Sequence, residues 1–410
     1  MNLSNLHPQT RMVVFDDDPT GIQTVHSCLL VTDWTDENIR MAMQDEVPFF
    51  YILTNTRALT ANETRKTLTS ALEAVIRVNQ TFGYRLICVS RSDSCLRGHF
   101  PLEPYLMREV LHAHGYKIWP KIPFAPALIE SGRITIDGTH YMRDGEKLIP
   151  VSESEFARDN VFGYKNANLL DYIREKGGDP EDFEIVNAQT YDELNTFCET
   201  LFSAIEGEEC SVVVRSSSSL PRALSGIGDK PFLKKEDLGI RSNGTGIFVV
   251  GSHVRKTTEQ LNELLKADQV HGIELPIEDI LNEPAELMAK TQEDIKKLSM
   301  HGITPIVYTA RQEVRIEDAA KRLHLGQVVS DFLVDIVRSL TIRPSYVVAK
   351  GGITSHDILT KGLSVKTARV MGQVINSVPC VMTERFPYII FPGNVGGPRS
   401  LREIYEGLRG

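Results

Sequence analysis

The feature that most constrains the fold is a recurring order of segments: a short apolar run, a polar loop, and then an amphipathic helix. The runs that fit strands span residues 12–15, 49–53, 85–89, 211–214, 247–250, 306–308, 346–349 and 388–391. The clearest helix, predicted from Ala61 to about Val78, opens with Thr60 and Glu63 at the spacing of a capping box. Strands that alternate with helices indicate a parallel sheet, so the sequence predicts an α/β fold.

A chain of 410 residues has room for two or three domains, and two fit the pattern more easily. The alternation weakens between residues 117 and 186, where the segment IDGTHYMRDGEK predicts a hairpin. A stretch rich in Gly, Pro and Lys, at about 225–246, is typical of an interdomain connector. We therefore expect two domains, 1–235 and 236–410, each built on a largely parallel sheet flanked by helices, with a ligand cleft between them.

The charge balance and the cysteines limit the classes of function. Lys and Arg number 45 against 54 Asp and Glu, a formal net charge of −9, which is the wrong sign for a non-specific binder of nucleic acids or anionic membranes. No apolar run approaches the roughly 18 residues that would span a bilayer, and the polar start MNLSNLHPQT does not resemble a signal peptide. The 6 cysteines form no CxxC pair, which predicts reduced thiols in a cytoplasmic protein.

Charged residues follow the first three strand-like runs. The triple aspartate Asp16–Asp18 ends the first run, Arg57 lies past the second, and Arg91, Asp93 and Arg97 lie past the third. Ligands of open α/β sheets bind beyond the carboxyl ends of the strands. Arginines that pair with a carboxylate, beside aspartates that accept hydroxyl groups, suit a small polyhydroxy acid. A solvated turn and a capped helix start are the plainer interpretations of these loops.

Three glycine-rich loops follow strand-like runs in the second half, at residues 251–252, 350–355 and 393–397. Glycine lets the backbone approach a phosphate closely, and a helix that starts there presents free N–H groups, so three such loops favour a nucleotide site. Thr354 and Asp357 have the spacing of a capping box. Each loop taken alone is equally explained by turn geometry. The sequence contains neither a Walker A motif nor GxGxxG, which argues against a standard dinucleotide fold.

These motifs, taken in order, resemble the four-carbon acid sugar kinases over most of the chain. Residues 17–21, Asp-Asp-Pro-Thr-Gly, resemble the opening Asp-Asp-x-Thr-Gly of that family, and residues 93–98 resemble its Asp-Ser-Thr-Leu-Arg-Gly element. Gly-Ser at 251–252, Gly-Gly-x-Thr at 351–354 and Gly-Asn-x-Gly at 393–396 resemble its nucleotide-binding loops. The chain departs from the pattern in its third aspartate and in Cys95, which stands where the family has Thr.

The resemblance implies a two-domain, ATP-dependent kinase that phosphorylates a hydroxyl of a small acid sugar, a four-carbon aldonate or a 3-oxo-tetronate. It implies Asp17 as the group that takes the hydroxyl proton, although which of the three aspartates is the base stays open. The substrate-binding residues it implies are Asp18, Thr20, Arg57, Ser92, Asp93, Ser94 and Arg97. The ATP-binding residues it implies are Ser252, Gly351, Gly352, Ile353, Thr354, Gly393, Asn394 and Gly396. Mg²⁺ is expected to accompany ATP, although the sequence has no metal motif.

Two other classes of function remain open at this stage. A non-enzymatic sensor that binds an acid metabolite between two lobes would explain the Arg and Asp loops but leaves the phosphate-type loops without a role. A nicotinamide-dependent oxidoreductase would use the glycine loops but lacks the expected fingerprint. The expected partners are a small acid and ATP, without nucleic acid or membrane, and homo-oligomerisation is left open.

Overall fold

The computed structural model describes residues 3, 9–241, 244–311, 319–393 and 395–409, with the side chains of 319–323 outside the description. The chain divides into two compact units, Met1–Asp229 and Lys230–Gly410. Each unit is built on a mostly parallel sheet flanked by helices, which confirms the predicted α/β class. No helix among the described residues combines the length and the apolar character needed to cross a membrane.

The described residues of the N-terminal unit form ten strands. They are β1 Thr10–Asp16, β2 Leu29–Val31, β3 Phe49–Leu53, β4 Arg85–Arg91, β5 Ile122–Ala125, β6 Arg133–Ile136, β7 Thr139–Asp144, β8 Lys147–Pro150, β9 Phe183–Ile185 and β10 Val212–Ser216. Seven of them form a parallel sheet in the order β2-β3-β1-β4-β10-β5-β9. The other three, β6, β7 and β8, form an antiparallel sheet, and the β7–β8 turn confirms the hairpin predicted there.

Six α-helices lie within residues 9–229 of the N-terminal unit. They are α1 Asp36–Met43, α2 Ala61–Phe82, α3 Leu102–Ala113, α4 Leu169–Glu175, α5 Tyr191–Gly207 and α6 Ser219–Ser225. The start of α2 has the predicted capping box, in which the Thr60 hydroxyl accepts from the Glu63 N–H and the Glu63 carboxylate accepts from the Thr60 N–H. Leu68 and Leu72, on the apolar stripe of α2, are buried in one core with the sheet residue Val13.

In the C-terminal unit, the part of the chain that the structure describes forms seven strands and six α-helices. They are β11 Ile247–Val250, α7 Arg255–Leu264, β12 Val270–Leu275, α8 Ile277–Asn282, α9 Pro284–Met300, β13 Thr304–Thr309, α10 Ala319–Arg338, β14 Val347–Lys350, α11 Gly352–Asp357, β15 Thr367–Ile375, β16 Val378–Met382, β17 Pro387–Phe391 and α12 Ser400–Leu408. The strand order is β12-β13-β11-β14-β17-β16-β15, parallel from β12 to β17, with β16 and β15 antiparallel.

The predicted connector has no helix or strand among the described residues of 226–246. It is nevertheless packed, because Leu233, Leu238 and Ile240 are buried in the core of the C-terminal unit beside Phe248. The stretch is therefore anchored to the second unit along much of its length, which a purely flexible linker would not be.

Candidate functional site

Polar side chains of the N-terminal unit collect where neighbouring strands end. In the register of the sheet, Asp16 of β1 pairs with Leu53 of β3 and with Arg91 of β4, and Arg91 pairs with Ser216 of β10. The loops that follow these strands therefore start at one edge, as the parallel-sheet argument predicts. We call the residues 16–20, 57 and 91–97 at this edge the acidic-loop site.

Asp17 lies at the centre of the acidic-loop site. Its side chain is 1% exposed, and Arg57 grips it with two hydrogen bonds, Nε to Oδ2 at 3.0 Å and Nη2 to Oδ1 at 2.5 Å. The Ser92 hydroxyl donates to Oδ2 of the same carboxylate. A planar fork that meets a carboxylate in this way fixes its orientation as well as its charge. The structure thus brings together Asp17, Arg57 and Ser92, three of the predicted site residues.

Asp18 is held in the turn that follows. Its Oδ1 accepts from the Thr20 N–H at 2.9 Å and from the Thr20 hydroxyl at 2.5 Å, and Arg57 Nη1 lies 3.4 Å from Oδ2. Burial alone would raise the pKa of Asp18, but the charges of Arg57 and Arg91 and the bonds from Thr20 outweigh it and lower the pKa. Asp18 is therefore a carboxylate at neutral pH, and at 21% exposure it is more accessible than Asp17, at 1%.

Asp16 is buried behind this pair. Arg91 Nη1 lies 2.9 Å from its Oδ1, and Arg91 Nη2 donates to the Ser218 hydroxyl at 3.0 Å. Burial raises the pKa of Asp16 to about 7, against the lowering effect of Arg91. A Cβ on Gly21 would lie 2.1 Å from Asp16 Oδ2, so glycine is required where the chain turns past this carboxyl group. Asp16 therefore packs under the 17–21 turn and fixes the position of Arg91.

The segment after β4 supplies the remaining predicted residues. Arg97 Nε donates to Asp93 Oδ2 at 2.8 Å. Burial alone would raise the pKa of Asp93, but Arg57 and Arg97 outweigh it and lower the pKa to about 2. The Ser94 carbonyl accepts from Nε2 of His140, which is completely buried. The departure at Cys95 replaces a hydroxyl by a buried thiol whose pKa is raised to about 11 by burial.

Gly98 shows why the loop after β4 must end in glycine. Its φ is +116°, and a Cβ there would lie 2.3 Å from Ser92 Oγ and 3.0 Å from Asp17 Oδ2. A side chain at this position would push into the hydrogen bond between Ser92 and Asp17. The motif residue is therefore needed for the packing of the acidic-loop site.

A further buried ion pair in the N-terminal unit, between Arg215 and Glu103, was not predicted. Arg215, near the end of β10, donates to Glu103 Oε2 at 2.6 Å and to the Ser90 hydroxyl at 2.8 Å, while the Thr56 hydroxyl donates to Glu103 Oε1 at 2.6 Å. The pair anchors the segment that carries Arg57. The polar run RSSSS directly after a buried strand was the available signal.

The glycine loops of the C-terminal unit also converge on one edge. They follow β11, β14 and β17, which are adjacent and parallel in the order β11-β14-β17. We call these loops, residues 251–252, 351–354 and 392–396, the glycine-loop site. Among the predicted ATP-binding residues, Asn394 lies outside the described residues.

Close backbone approach explains the glycines at this edge. Gly351 has φ +116°, and a Cβ there would lie 3.1 Å from Ser252 Cβ. A Cβ on Gly251 would lie 2.2 Å from Thr354 Oγ1, and one on Gly393 would lie 3.4 Å from Ser252 Oγ. The glycine backbone of these loops therefore packs against the small side chains of Ser252 and Thr354, which leaves little side-chain bulk at the strand ends. Such a surface suits a phosphate group, which binds to N–H groups at close range.

The capping box predicted at Thr354 and Asp357 is wrong. Gly351 is the N-cap of α11, so Thr354 already lies inside the helix. Thr354 is nearly buried, with its hydroxyl against Gly251, whereas Ile353 is 67% exposed. The helix starts earlier than predicted because glycine at 351 adopts the positive φ that begins the turn.

One buried cation at this edge has no assigned role from the sequence. Lys350, the last residue of β14, has no exposed surface, and its Nζ donates to the carbonyl of Pro392 at 2.5 Å. Arg311 approaches from β13, and its Nη1 donates to the Ser252 carbonyl at 2.6 Å. Lys350 and Arg311 therefore fix the positions of the loops after β17 and β11 by binding their carbonyl groups.

No metal centre is built from protein side chains in the part of the chain that the structure describes, where no group of three or more His, Cys, Asp or Glu residues could hold an ion. Mg²⁺ with ATP remains an expectation from the chemistry of ATP.

Comparisons with known proteins agree with this division of the chain. A family described as "Sugar-binding N-terminal domain" matches residues 12–214, and one described as "Nucleotide-binding C-terminal domain" matches residues 247–401. Haemophilus influenzae protein HI1011, of the family DUF1537, has a similar structure at TM-score 0.67 and 15% identity, over 97% of this chain and 100% of its own. A Salmonella typhimurium LT2 protein, provisionally described as a tRNA synthase, aligns at TM-score 0.68 and 15% identity over 96% of this chain and 98% of its own. At this identity the likeness shows the fold alone. No curated protein matches the sequence.

Proposed function

The chain belongs to the four-carbon acid sugar kinase family, which joins a sugar-binding N-terminal domain to a nucleotide-binding C-terminal domain, and from this premise we propose that it transfers the terminal phosphoryl group of ATP to a hydroxyl of a small acid sugar. The proposed substrate class is the four-carbon aldonates and 3-oxo-tetronates. The observation that carries the proposal is Asp17, a buried carboxylate held in one orientation by Arg57 and Ser92 at the end of a central strand.

Asp17 is proposed to orient the acceptor hydroxyl and to take its proton. Phosphoryl transfer passes through a loose transition state, so the protein contributes mainly positioning and charge neutralisation. A carboxylate locked by a guanidinium fork offers a fixed acceptor for the hydroxyl, and Arg57 neutralises the charge that builds up beside it. Asp18, ionised and more exposed, is proposed as a ligand for a second hydroxyl or for Mg²⁺.

The substrate carboxylate is proposed to bind the arginines of the acidic-loop site. Arg57 engages Asp17 and Asp18 through three of its five N–H groups, which leaves two for a ligand. Arg97 binds Asp93 through Nε and Nη2, and its Nη1 lies 3.9 Å from Asp159. Ser92, Ser94 and Thr20 would orient the hydroxyl groups. Because the arginines already carry aspartate partners, the pocket is expected to favour a ligand that combines one carboxylate with several hydroxyls.

ATP is proposed to bind the glycine-loop site, mainly through backbone N–H groups of residues 351–354, 393 and 396 and through the Ser252 hydroxyl. The narrow approach at Gly351 and Gly393 fits a phosphate better than a bulky apolar group. Bound Mg²⁺ would neutralise the phosphate charge during transfer. The side chain of Ile353, exposed beside these loops, would cover an apolar face of the nucleotide.

The test is an ADP-release assay with Mg-ATP and a panel of aldonic and 3-oxo acids of three to six carbons, with the Asp17→Asn variant run in parallel. We expect ADP release that depends on one or a few four-carbon acids and that the variant abolishes. Release with acids of another length would keep the kinase and change the substrate class. Silence over the whole panel together with no binding of ATP would refute the proposal.

A further inference from the structure

Lys350 is a charged side chain in a place where charge is costly. It is the last residue of β14 and has no exposed surface. Its Nζ donates to the carbonyls of Pro392 at 2.5 Å and Gly393 at 3.2 Å, and it lies 3.8 Å from the centre of the Phe391 ring. An apolar residue would fill the same space without the cost of burying an ammonium group. The two carbonyls and the ring face are the partners of the ammonium group, and all three belong to residues 391–393, at the end of β17 and directly after it.

The two bonds set the orientation of the loop backbone. A trans peptide is planar, with its N–H antiparallel to its C=O. Because the Pro392 carbonyl points to the lysine, the N–H of Gly393 points away from it. Gly393 lies against Ser252, where a Cβ would be 3.4 Å from the Ser252 hydroxyl oxygen. The donor is therefore turned from the buried lysine toward the opposite side of the loop.

We propose that Lys350 is a positioning residue for the nucleotide: it holds the Pro392–Gly393 peptide with its N–H presented to a phosphate group, without touching that phosphate itself. The inference rests on the nucleotide-binding part of the proposed function. The Lys350 ammonium group is enclosed by the carbonyls of Pro392 and Gly393 and by the Phe391 ring, so the loop itself lies between it and a bound phosphate. Burial, with a smaller effect of Lys256, lowers the pKa of Lys350 to about 7, as expected for a cation whose partners are neutral carbonyls and a ring.

Isothermal titration calorimetry with Mg-ATP and with adenosine tests this role in the full chain. The variant is Lys350→Met, and the matched control is Lys297→Met, which removes an exposed lysine paired with Glu293 on α9. Loss of a charge-assisted bond that orders the loop should weaken binding of Mg-ATP about 10- to 100-fold. Binding of adenosine, which has no phosphate, should change less than about 2-fold. The control should bind both ligands like the unaltered chain.

Parallel loss of both ligands would show a merely structural lysine and overturn the proposal, as would undiminished binding of Mg-ATP. If Lys350→Met does not fold, Lys350→Gln serves instead, because its shorter, uncharged amide leaves a weaker donor facing the carbonyls of Pro392 and Gly393. A loss of about 3-fold, confined to Mg-ATP, is expected there, and undiminished binding of Mg-ATP by this variant overturns the proposal. The titrations need no acid, so a chain that is silent in the ADP-release panel still tests the role of Lys350.

Discussion

The acidic-loop site and the glycine-loop site both lie at the carboxyl ends of parallel strands, but they are formed by different parts of the chain: charged side chains in the first and loop backbone in the second. The first is made of charged side chains that are buried and paired with one another, such as Asp17 with Arg57 and Asp16 with Arg91. The second is made of backbone, with glycine where neighbouring loops touch and with Lys350 and Arg311 binding carbonyls from behind. The difference teaches what each site tolerates.

A site made of paired charges depends on chemical identity. An isosteric change that removes one charge leaves the shape intact but leaves the partner charge buried without a counter-charge. This lowers the stability of the folded site. A site made of backbone depends on space, because an added methyl group blocks the approach whatever its charge. Substitutions that alter charge without shape, and shape without charge, should therefore act on different sites.

The largest effect is expected from Asp17→Asn, which keeps shape and removes charge. The amide cannot take the hydroxyl proton, and general base catalysis contributes about 10²- to 10⁴-fold, so kcat should fall by about 10³-fold. KM for ATP should change little, because that ligand is assigned to the other unit. Steady-state kinetics with ATP and the best acid of the panel measures both constants.

Asp36→Asn is the matched control for this experiment, because Asp36 forms an exposed ion pair with Arg77 on the surface of the same unit. Exposed pairs contribute little, so its kinetics should be unchanged. A fall of kcat below about 10-fold in Asp17→Asn would remove Asp17 from the role of base and direct attention to Asp16 or Asp18.

A pH-dependent effect on stability is expected from His140, which ties β7 to the loop of Ser94. Burial lowers the pKa of His140 to about 4 from its usual value of 6.5. The folded state therefore disfavours the charged imidazolium ring. The neutral His140 ring makes its full contribution to the free energy of unfolding above pH 6.5, and this contribution is lost as the pH falls from 6.5 to 4. The loss over that range amounts to about 3 kcal/mol.

His140→Gln should be less stable than the unaltered chain at pH 7.5, since hydrogen bonds to Thr135 and Ser94 are lost. The gap between the two chains should then narrow as the pH falls to 4.5, as measured by urea unfolding at several pH values. Asp16, whose pKa is raised, acts in the opposite direction in both chains and cancels from the difference. The exposed His112→Gln is the control, and a gap independent of pH would contradict the prediction.

The opposite kind of change, shape without charge, is Gly351→Ala. Alanine at φ +116° is strained, and its Cβ would lie 3.1 Å from Ser252 Cβ. Strain of about 1–3 kcal/mol at this loop should raise KM for ATP about 10-fold and leave KM for the acid unchanged. Gly407→Ala, in α12 with open space around the Cβ, is the control and should leave both constants unchanged. A rise in the acid KM alone would break the assignment of this site to ATP.

Elements with a strong local signal were predictable. The buried strands β1, β3, β4, β11, β14 and β17 were each foreseen as continuous apolar runs, since both faces of a central parallel strand are covered. The three residues of β2 are too few to show a pattern. The strand β12, VHGIEL, is partly exposed and interrupted by Gly272, so it shows no apolar run.

The clustering of the charged side chains of the acidic-loop site at one sheet edge was predictable from the sequence, but which residues pair with one another was not. Parallel topology brings the loops of Asp17, Arg57 and Asp93 to one edge of the sheet, and these residue types predict a cluster of paired charges there. Which arginine meets which aspartate depends on side-chain geometry that no spacing encodes. Lys350 is the first residue of the motif KGGITS and was therefore visible in the sequence. Its burial against Pro392 and Gly393 follows from the pairing of β14 with β17, which the sequence does not reveal.

The smallest effect is expected from Ile353→Ala at the glycine-loop site. Ile353 is 67% exposed, and it lies between Gly352 and Thr354 in one of the loops proposed to bind the nucleotide. Covering part of it with the nucleotide would contribute about 1 kcal/mol, so its loss should raise KM for ATP about 3- to 5-fold with kcat unchanged. Leu281→Ala, at a side chain 52% exposed after β12, is the matched control. Because the change alters neither charge nor backbone, it tests whether this site also makes an apolar contact with its ligand. An unchanged KM for ATP would mean that the Ile353 side chain does not contact the nucleotide.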